Sequence, residues 1–600
     1  MLAALRLVFN ATALLALLTL TAALGIAALH GRELPWEQLV LGRLLAEAGS
    51  IPAHEGLLFT ASPAAAFDAR SWAWDWTACQ AFRLYGPSAL RLADSLVWLL
   101  AIWALVAAAF RRGARPFSTA LFTAWALLAA RTDLGPGPGS FGFAAFCAAL
   151  WIMEGDFWDA FFGRWIWLGP LAVLAVNVSP LAWFLAPLAL CQLYFGADAI
   201  GAPRQPRLAK TAFFTLLMVC LCLHPQGASA LTRIPLGLGA SPLLPGAFEP
   251  RQAALLLLAA AALLWIASSW TRAGRRHLGR DGSLLLFFGA AALISRDALP
   301  FLLAVSAPAA AARFDMLTDA LPSPLRALRW PAKVAAFAAL VAWAVSGGLR
   351  ALPAAEESAA PRPAQTVAFY GTELLDLDIL CPPEWTPALA WKLAPNARFA
   401  LDPRGLAQPA RAAALRDALN ARGDFAATLA VEGVGLCWLP RGSPLSVALA
   451  ESQAWQPLSF DDASVVYLPV VPANAELIRA RAPRGLRPGD PERPFDATRL
   501  VQAEADLEAD LARDPGMGVL YLYMAQLWLA RGHAVKARET LEGGIRADPD
   551  FAPDYARLAG LRAALGDTPD REAARTLYRR ALRLEERPDW RAALAALGPA

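Results

Sequence analysis

Lysine is nearly absent from this chain of 600 residues, confined to Lys210, Lys333, Lys392 and Lys536, although Lys and Arg together number 54. With no basic tract and a net charge of only +4, the electrostatic footprint of a nucleic-acid binder is missing. Charge of either sign is scarce, at 17% of residues against about 25% in ordinary soluble proteins. The five histidines, at positions 30, 54, 224, 277 and 533, are too scattered for a metal-ligand cluster, which argues against a His-rich metalloenzyme. Nor do the cysteines form a framework. Cys79 falls in a polar loop, and Cys147, Cys191, Cys220 and Cys222 fall in apolar runs. Only Cys381 and Cys437 lie in water-compatible sequence, where one disulfide is allowed but not required by the spacing.

What is abundant is apolar: 57% of the residues are hydrophobic and the mean hydropathy is +0.41. The run Leu7–Leu29 follows a lone Arg6 and exceeds a signal-peptide core, so it reads as a retained span. Further spans begin near Leu90, Phe117, Phe141, Trp165, Leu181, Thr211, Ala253, Ser283, Leu299 and Val334, for about eleven in all. Cations collect in alternate loops: Arg111, Arg112 and Arg115; Arg204, Arg207 and Lys210; Arg272, Arg275, Arg276 and Arg280; then Arg313, Arg326, Arg329 and Lys333. The positive-inside rule puts those loops and the N-terminus in the cytoplasm, and an odd span count puts residues 353–600 in the periplasm of a bacterial cell. Trp72, Trp74 and Trp76, with Trp158, Trp165 and Trp167, suit interfacial belts. Charged residues inside the spans are few, which disfavours a transporter.

The first outer loop, residues 30–88, is rich for a connector. It holds Glu33, Glu37, Glu47, Glu55, Asp68 and Asp75, an apolar helical stretch from Trp36 to Ala48, the stop Gly49-Ser50-Ile51-Pro52, and the aromatic segment from Ser71 to Trp76. Together with Phe59-Thr60, Asn177, His224-Pro225-Gln226-Gly227, Ser295-Arg296-Asp297 before Leu299, Ala400-Leu401-Asp402-Pro403-Arg404 and the stretch Gly433 to Pro444, this order resembles a group of bacterial polytopic proteins related to the GT-C glycosyltransferases. The resemblance implies an α-helical polytopic membrane body on the bacterial inner membrane, taking a sugar from a polyprenyl-phosphate donor on its outer side. Members usually open the loop with an Asp-x-Asp-like element, where this chain has Glu33-Leu34-Pro35-Trp36-Glu37. They also carry Asn-x-His-Gly where it has Asn177-Val178-Ser179-Pro180.

Such a transfer needs a carboxylate to take the acceptor proton and cations to hold the departing lipid phosphate. Glu33, Glu37 and Asp75 are the candidates for the base or for a divalent metal, otherwise the cofactor is open. Arg296 and Arg233 offer guanidinium forks to phosphate, His224 a donor or acid, and Trp36 and Trp76 platforms for a sugar. Each has a plainer alternative: a solvated carboxylate, a headgroup-binding arginine, a turn histidine. Membrane lipid and a polyprenyl-phosphate sugar are the partners implied, and nucleic acid is not.

Residues 1–352 thus read as the membrane domain. Residues 353–363 form an Ala/Pro/Glu-rich linker and 364–480 a small soluble α/β domain on the periplasmic side, with strands at Thr366–Tyr370, Arg398–Leu401, Gly435–Leu439 and Ser464–Leu468 and helices near Ala410–Asn420 and Pro444–Ser452. Over 497–600 the pattern repeats: Asp514-Pro515 recurs 34 residues later as Asp548-Pro549, and Ala503 and Leu507 as Ala537 and Leu541. That period is the tetratricopeptide signature, here about two repeats and a preceding half, and implies a protein partner. A non-catalytic membrane scaffold recruiting partners through this tail is the competing reading.

Overall fold

The computed structural model describes residues 34–54, 56–62, 67, 69–130, 137–154, 164–195, 207–226, 278–294, 298–320, 377–394, 397–483, 485–490, 494–495, 499–565 and 568–598. The spans expected at Leu7–Leu29 and near Ala253 and Val334, the strand Thr366–Tyr370, and Glu33, Arg233 and Arg296 lie outside these residues. The chain forms two compact units, one of Met1–Pro52 with Asp68–Ser358, the other of Ala53–Phe67 with Ala359–Ala600.

The first unit is helical throughout its described residues: α1 (Trp36–Ala48), α2 (Trp72–Tyr85), α3 (Pro87–Arg111), α4 (Pro116–Ala130), α5 (Pro138–Met153), α6 (Leu168–Val178), α7 (Leu185–Phe195), α8 (Arg207–Leu221), α9 (Leu278–Ile294) and α10 (Leu299–Ala320). Proline at the first position of α3, α4 and α5 starts each helix where a missing N–H costs nothing. α3 has two unlike faces. Its inner face is small, with Ala101, Ala104, Leu105 and Ala108 buried, while Leu92, Leu96, Leu99, Leu100 and Trp103 stand exposed at helical spacing on the outer face. With leucines directed outward over 25 residues, α3 is long and apolar enough to cross a membrane.

Eight of the expected span starts fall on described helices, from Leu90 on α3 to Leu299 on α10. Among them only α3 and α10 have the length and hydropathy to cross a membrane unaided; the other apolar helices run to between 10 and 17 residues. About eleven full spans are therefore not confirmed among the described residues. One physical cause is visible between α6 and α7: Ser179 is extended, its hydroxyl accepts the Leu181 N–H, and Pro180 opens a separate 3₁₀ turn over Pro180–Phe184.

Buried charge is less scarce than the span sequences suggest. Arg112 donates through Nε to Glu154 (2.6 Å) and through Nη1 to Asp281 (3.3 Å); Arg280 reaches Glu154 (3.1 Å) and Arg313 reaches Asp281 (2.8 Å). Asp315 accepts the Arg115 N–H and the Ser118 hydroxyl, both at 2.7 Å, and so caps α4. The network ties the ends of α3 and α5 and the start of α9 to α10.

In the second unit a mixed sheet has the order β2-β1-β3-β5-β4, with β1 (Asp378–Leu380), β2 (Arg398–Phe399), β3 (Leu436–Pro440), β4 (Trp455–Phe460) and β5 (Ser464–Pro469). The β2, β1 and β3 pairings are parallel, and β3–β5 and β5–β4 antiparallel. Helices α11 (Thr386–Leu393), α12 (Pro409–Leu419), α13 (Phe425–Val431), α14 (Pro444–Glu451) and α15 (Ala475–Arg481) accompany it.

The tail continues as α16 (Leu500–Arg513), α17 (Gly518–Ala530), α18 (Ala534–Ala547), α19 (Ala552–Leu565), α20 (Thr568–Leu584) and α21 (Pro588–Ala596). The sequence repeat is also a hydrogen-bond repeat. Tyr521 donates to Pro515 O and Tyr555 to Pro549 O, both at 3.0 Å, while Ala503, Leu507, Ala537 and Leu541 are wholly buried at the helix crossings.

Candidate functional site

At the end of the first unit away from the ion network, three segments far apart in sequence are tied together by neutral hydrogen bonds. Trp72, at the start of α2, donates Nε1–H to Asn177 Oδ1 (2.8 Å). Asn177, at the end of α6, donates its amide to Val173 O (2.8 Å) and to Leu223 O (2.9 Å), just beyond α8. His224 completes the tie: its Nδ1 accepts the Gln226 N–H (3.1 Å), so the proton sits on Nε2, which donates to Ala69 O (3.1 Å). Burial lowers the His224 pKa, with the Ala69 carbonyl opposing, and the ring is neutral at pH 7. With both nitrogens engaged by the chain, His224 holds the approach to α2 and is not poised as an acid.

Asp75 lies one turn into α2 and is 0% exposed. Ser71 Oγ donates to it (3.1 Å to either oxygen), and its backbone N–H returns to Ser71 O (2.9 Å). α1 crosses α2 at this level. A Cβ at Gly42 would collide with the Asp75 carbonyl and come within 2.8 Å of Cys79 Cβ, so only glycine permits the approach. Trp36 packs edge-on against Phe82 (5.9 Å), which draws it into the α1–α2 contact. Glu37, in the first turn of α1, is half-buried.

The aromatic segment divides by direction rather than forming a uniform belt. Trp72 is hydrogen-bonded, Trp74 packs on Phe141 (4.9 Å), and Trp76 is 45% exposed, the ring of the three that is open to a ligand. One carboxylate escaped sequence reasoning. Asp94 is almost wholly buried on α3, and its signal was the polar pair Asp94-Ser95, one turn after Arg91 and ahead of a long apolar run. Among the described residues no group of three or more His, Cys, Asp or Glu is placed to hold a metal ion, so no step is derived through one. Of the eight residues singled out for the site, the structure ties His224 to Ala69 ahead of α2, bonds Asp75 to Ser71 within the first turn of α2, packs Trp36 on α2, leaves Glu37 and Trp76 partly open, and does not describe Glu33, Arg233 or Arg296.

No curated protein matches the chain. Among solved structures it is similar to the cryo-EM structure of the arabinofuranosyltransferase AftD from Mycobacteria, at 14% identity and TM-score 0.49 over 76% of this chain, which spans 40% of that protein's length. It is also similar to the crystal structure of ArnT from Cupriavidus metallidurans bound to undecaprenyl phosphate, at 15% identity and TM-score 0.46, over 76% of this chain and 98% of that one. Residues 495–565 match the tetratricopeptide repeat family, and the tail of the chain is a tetratricopeptide-repeat segment.

Proposed function

We propose that the protein is a membrane glycosyltransferase of the GT-C kind, moving a sugar from a polyprenyl-phosphate donor to a cell-envelope acceptor on the outer face of the bacterial inner membrane. The observation that carries this reading is the convergence of Trp72, Asn177 and His224, because it brings three of the segments on which the family resemblance rests to one end of a lipid-facing helical body. Residues 1–352 supply that body, with the N-terminus cytoplasmic, and the tail is periplasmic.

In this reading Glu37, with Glu33, takes the proton of the acceptor hydroxyl as the anomeric carbon becomes cation-like. Glu37 suits the role better than Asp75 because it retains some exposure on α1, whereas Asp75 is withdrawn and serves to hold the α1–α2 crossing. Arg233 and Arg296 pair with the departing lipid phosphate, and exposed Trp76 offers a face to the sugar.

The test is release of polyprenyl phosphate from a panel of synthetic short-chain polyprenyl-phosphate sugars, with the full-length protein in nanodiscs. Glu37→Gln is expected to slow turnover by about a hundredfold or more without lowering the yield of folded protein. Undiminished turnover in the Glu33→Gln/Glu37→Gln double variant would remove both carboxylates from the mechanism. The repeat segment favours a second reading, a scaffold: deletion of 497–600 would then lose a co-purifying periplasmic protein while the loop variants stay silent.

A further inference from the structure

The exposed face of α3 does not end in leucine. Beyond Leu100 it continues at helical spacing through Trp103 and Phe110 to Arg111, in the last turn of a helix long and apolar enough to cross a membrane, and all three side chains are exposed. Tryptophan and arginine closing an apolar stripe are the composition of a membrane–water interface, where the guanidinium reaches headgroups.

A platform lies beneath them. Trp151, near the end of α5, meets Trp103 edge-on (4.6 Å), and the Arg111 guanidinium sits 4.6 Å from the centre of the Trp151 ring. Arg111 Nη1 also donates to Trp151 O (2.8 Å), one of the last carbonyls of α5. Its Nε and Nη2 have no hydrogen bond among the described residues.

A second guanidinium comes from another part of the chain. Arg164 stands just ahead of the 3₁₀ turn Trp165–Trp167, whose Ile166 and Trp167 are exposed, and it is close enough to Arg111 for the two charges to act on each other. Neither forms an ion pair among the described residues. Glu154 is also within electrostatic reach of Arg111, but it is already shared by Arg112 and Arg280, and Arg115 at the same end is paired with Asp319 (2.9 Å). Two like charges held near each other are stabilised by an anion between them, and a phosphate offers its oxygens to both guanidinium forks.

We propose that Arg111 and Arg164 hold the phosphate of an anionic phospholipid whose chains lie along the leucine face of α3. Free phosphate shares the charge but gains nothing from the apolar stripe that leads to Arg111, so the occupant is lipid. The site is separate from the proposed transfer at the other end of the unit and stands without it.

Full-length protein in detergent is mixed with equimolar dioleoyl phosphatidylglycerol and dioleoyl phosphatidylcholine, and the first lipid retained is identified by native mass spectrometry. Wild type is expected to favour phosphatidylglycerol by about twentyfold or more, and Arg111→Gln and Arg164→Gln each to lower that preference about fivefold. The double variant then stands close to parity, while Arg115→Gln behaves as wild type. Inorganic phosphate in excess should displace no more lipid than chloride at equal ionic strength.

Parity in wild type, or an undiminished preference in the double variant, would overturn the proposal. So would an equal loss in Arg115→Gln, since the effect would then be one of general charge, and so would displacement by inorganic phosphate, which would make this a site for the free ion. If Arg111→Gln yields no monodisperse protein, because α5 has lost a donor to its last turn, Arg164→Gln decides alone: a fivefold loss of preference supports the site and no loss overturns it.

Discussion

The repeat tail carries a buried acid whose titration is open to direct measurement. Asp554, on α19, is wholly buried, and burial together with Asp462 and Asp548 pushes its pKa from 3.8 up to about 8, with Arg441 opposing. Neither carboxyl oxygen has a hydrogen-bond partner. From α18, Gly544 presses so close that a Cβ there would collide with the carboxyl group, and Tyr521 of α17 lies on the same spot. Asp462, in the β4–β5 turn, is raised to about 6, chiefly by burial, while it accepts the Val519 N–H at the start of α17 (2.7 Å). Arg441 stacks on Tyr523 (5.7 Å) and Phe551 (5.8 Å) and donates to the Tyr523 hydroxyl (3.3 Å).

The folded chain thus keeps a proton that the unfolded chain releases above about pH 4. The associated stability is complete below that pH, declines as pH rises, and is gone once Asp554 ionises near 8. At about 1.4 kcal/mol per tenfold change in proton affinity, holding the proton to about pH 8 instead of 3.8 corresponds to roughly 6 kcal/mol. Hydrogen exchange over residues 518–565, expressed as protection factors so that the chemical pH dependence cancels, should fall roughly a hundredfold between about pH 5.5 and 8. Asp554→Asn has no proton to lose; its profile should be nearly flat and its protection at pH 8 should exceed that of the parent. A flat parent profile, or an equal slope in Asp554→Asn, would refute the reasoning.

Two further outcomes follow from buried groups elsewhere. Glu154→Ala removes the carboxylate that Arg112 and Arg280 share and leaves both buried cations, with Arg313, to Asp281; it should cost about 3–5 kcal/mol, read as loss of monodisperse protein on heating in detergent. In the tail, Leu380 is the in-register neighbour of Cys437, so Cys381, one residue on, belongs to the opposite face of the sheet; it contacts Thr386 instead (3.3 Å). Burial pushes the Cys381 thiol up to about 12 and raises that of Cys437, so both should stay reduced and unreactive to a maleimide at pH 7 until the protein is denatured.

How much of this could be read in advance depended on whether a signal was local. The tail repeat was legible because a 34-residue period needs only self-comparison, and the same period reappears in the bonds of Tyr521 and Tyr555. Strands β2, β3 and β5 were legible as buried runs. β4 was not: Pro457 interrupts it, which is tolerated only because β4 is an edge strand with a shift in register between Pro457 and Ser459. β1, three residues long, had no periodicity to show. In the first unit, hydropathy located the helices, including the new start near Leu181 just past Ser179-Pro180, but not how short α6 and α7 are. Trp72 looked like a belt residue because its partner, Asn177, is 105 residues away. Asp75 looked solvated for a related reason: the glycine that lets α1 bury it is on another helix.

The two ends of the helical body differ in what would be lost by moving them. At one end Arg112, Arg280 and Arg313 share Glu154 and Asp281, and separating any of these buried charges from its partner costs several kcal/mol. At the other, Trp72, Asn177, His224 and Ala69 are joined by neutral bonds worth about 1 kcal/mol each, every one of which water or a ligand hydroxyl can replace. A ligand can shift an equilibrium only by its differential affinity for the two states, commonly a few kcal/mol. That is enough to rearrange the neutral end and too little to open the charged one. If the proposed transfer reading holds, added polyprenyl-phosphate sugar is therefore expected to change hydrogen exchange in α1, α2 and the ends of α6 and α8 and to leave α3, α5, α9 and α10 unchanged; equal changes at both ends would refute this.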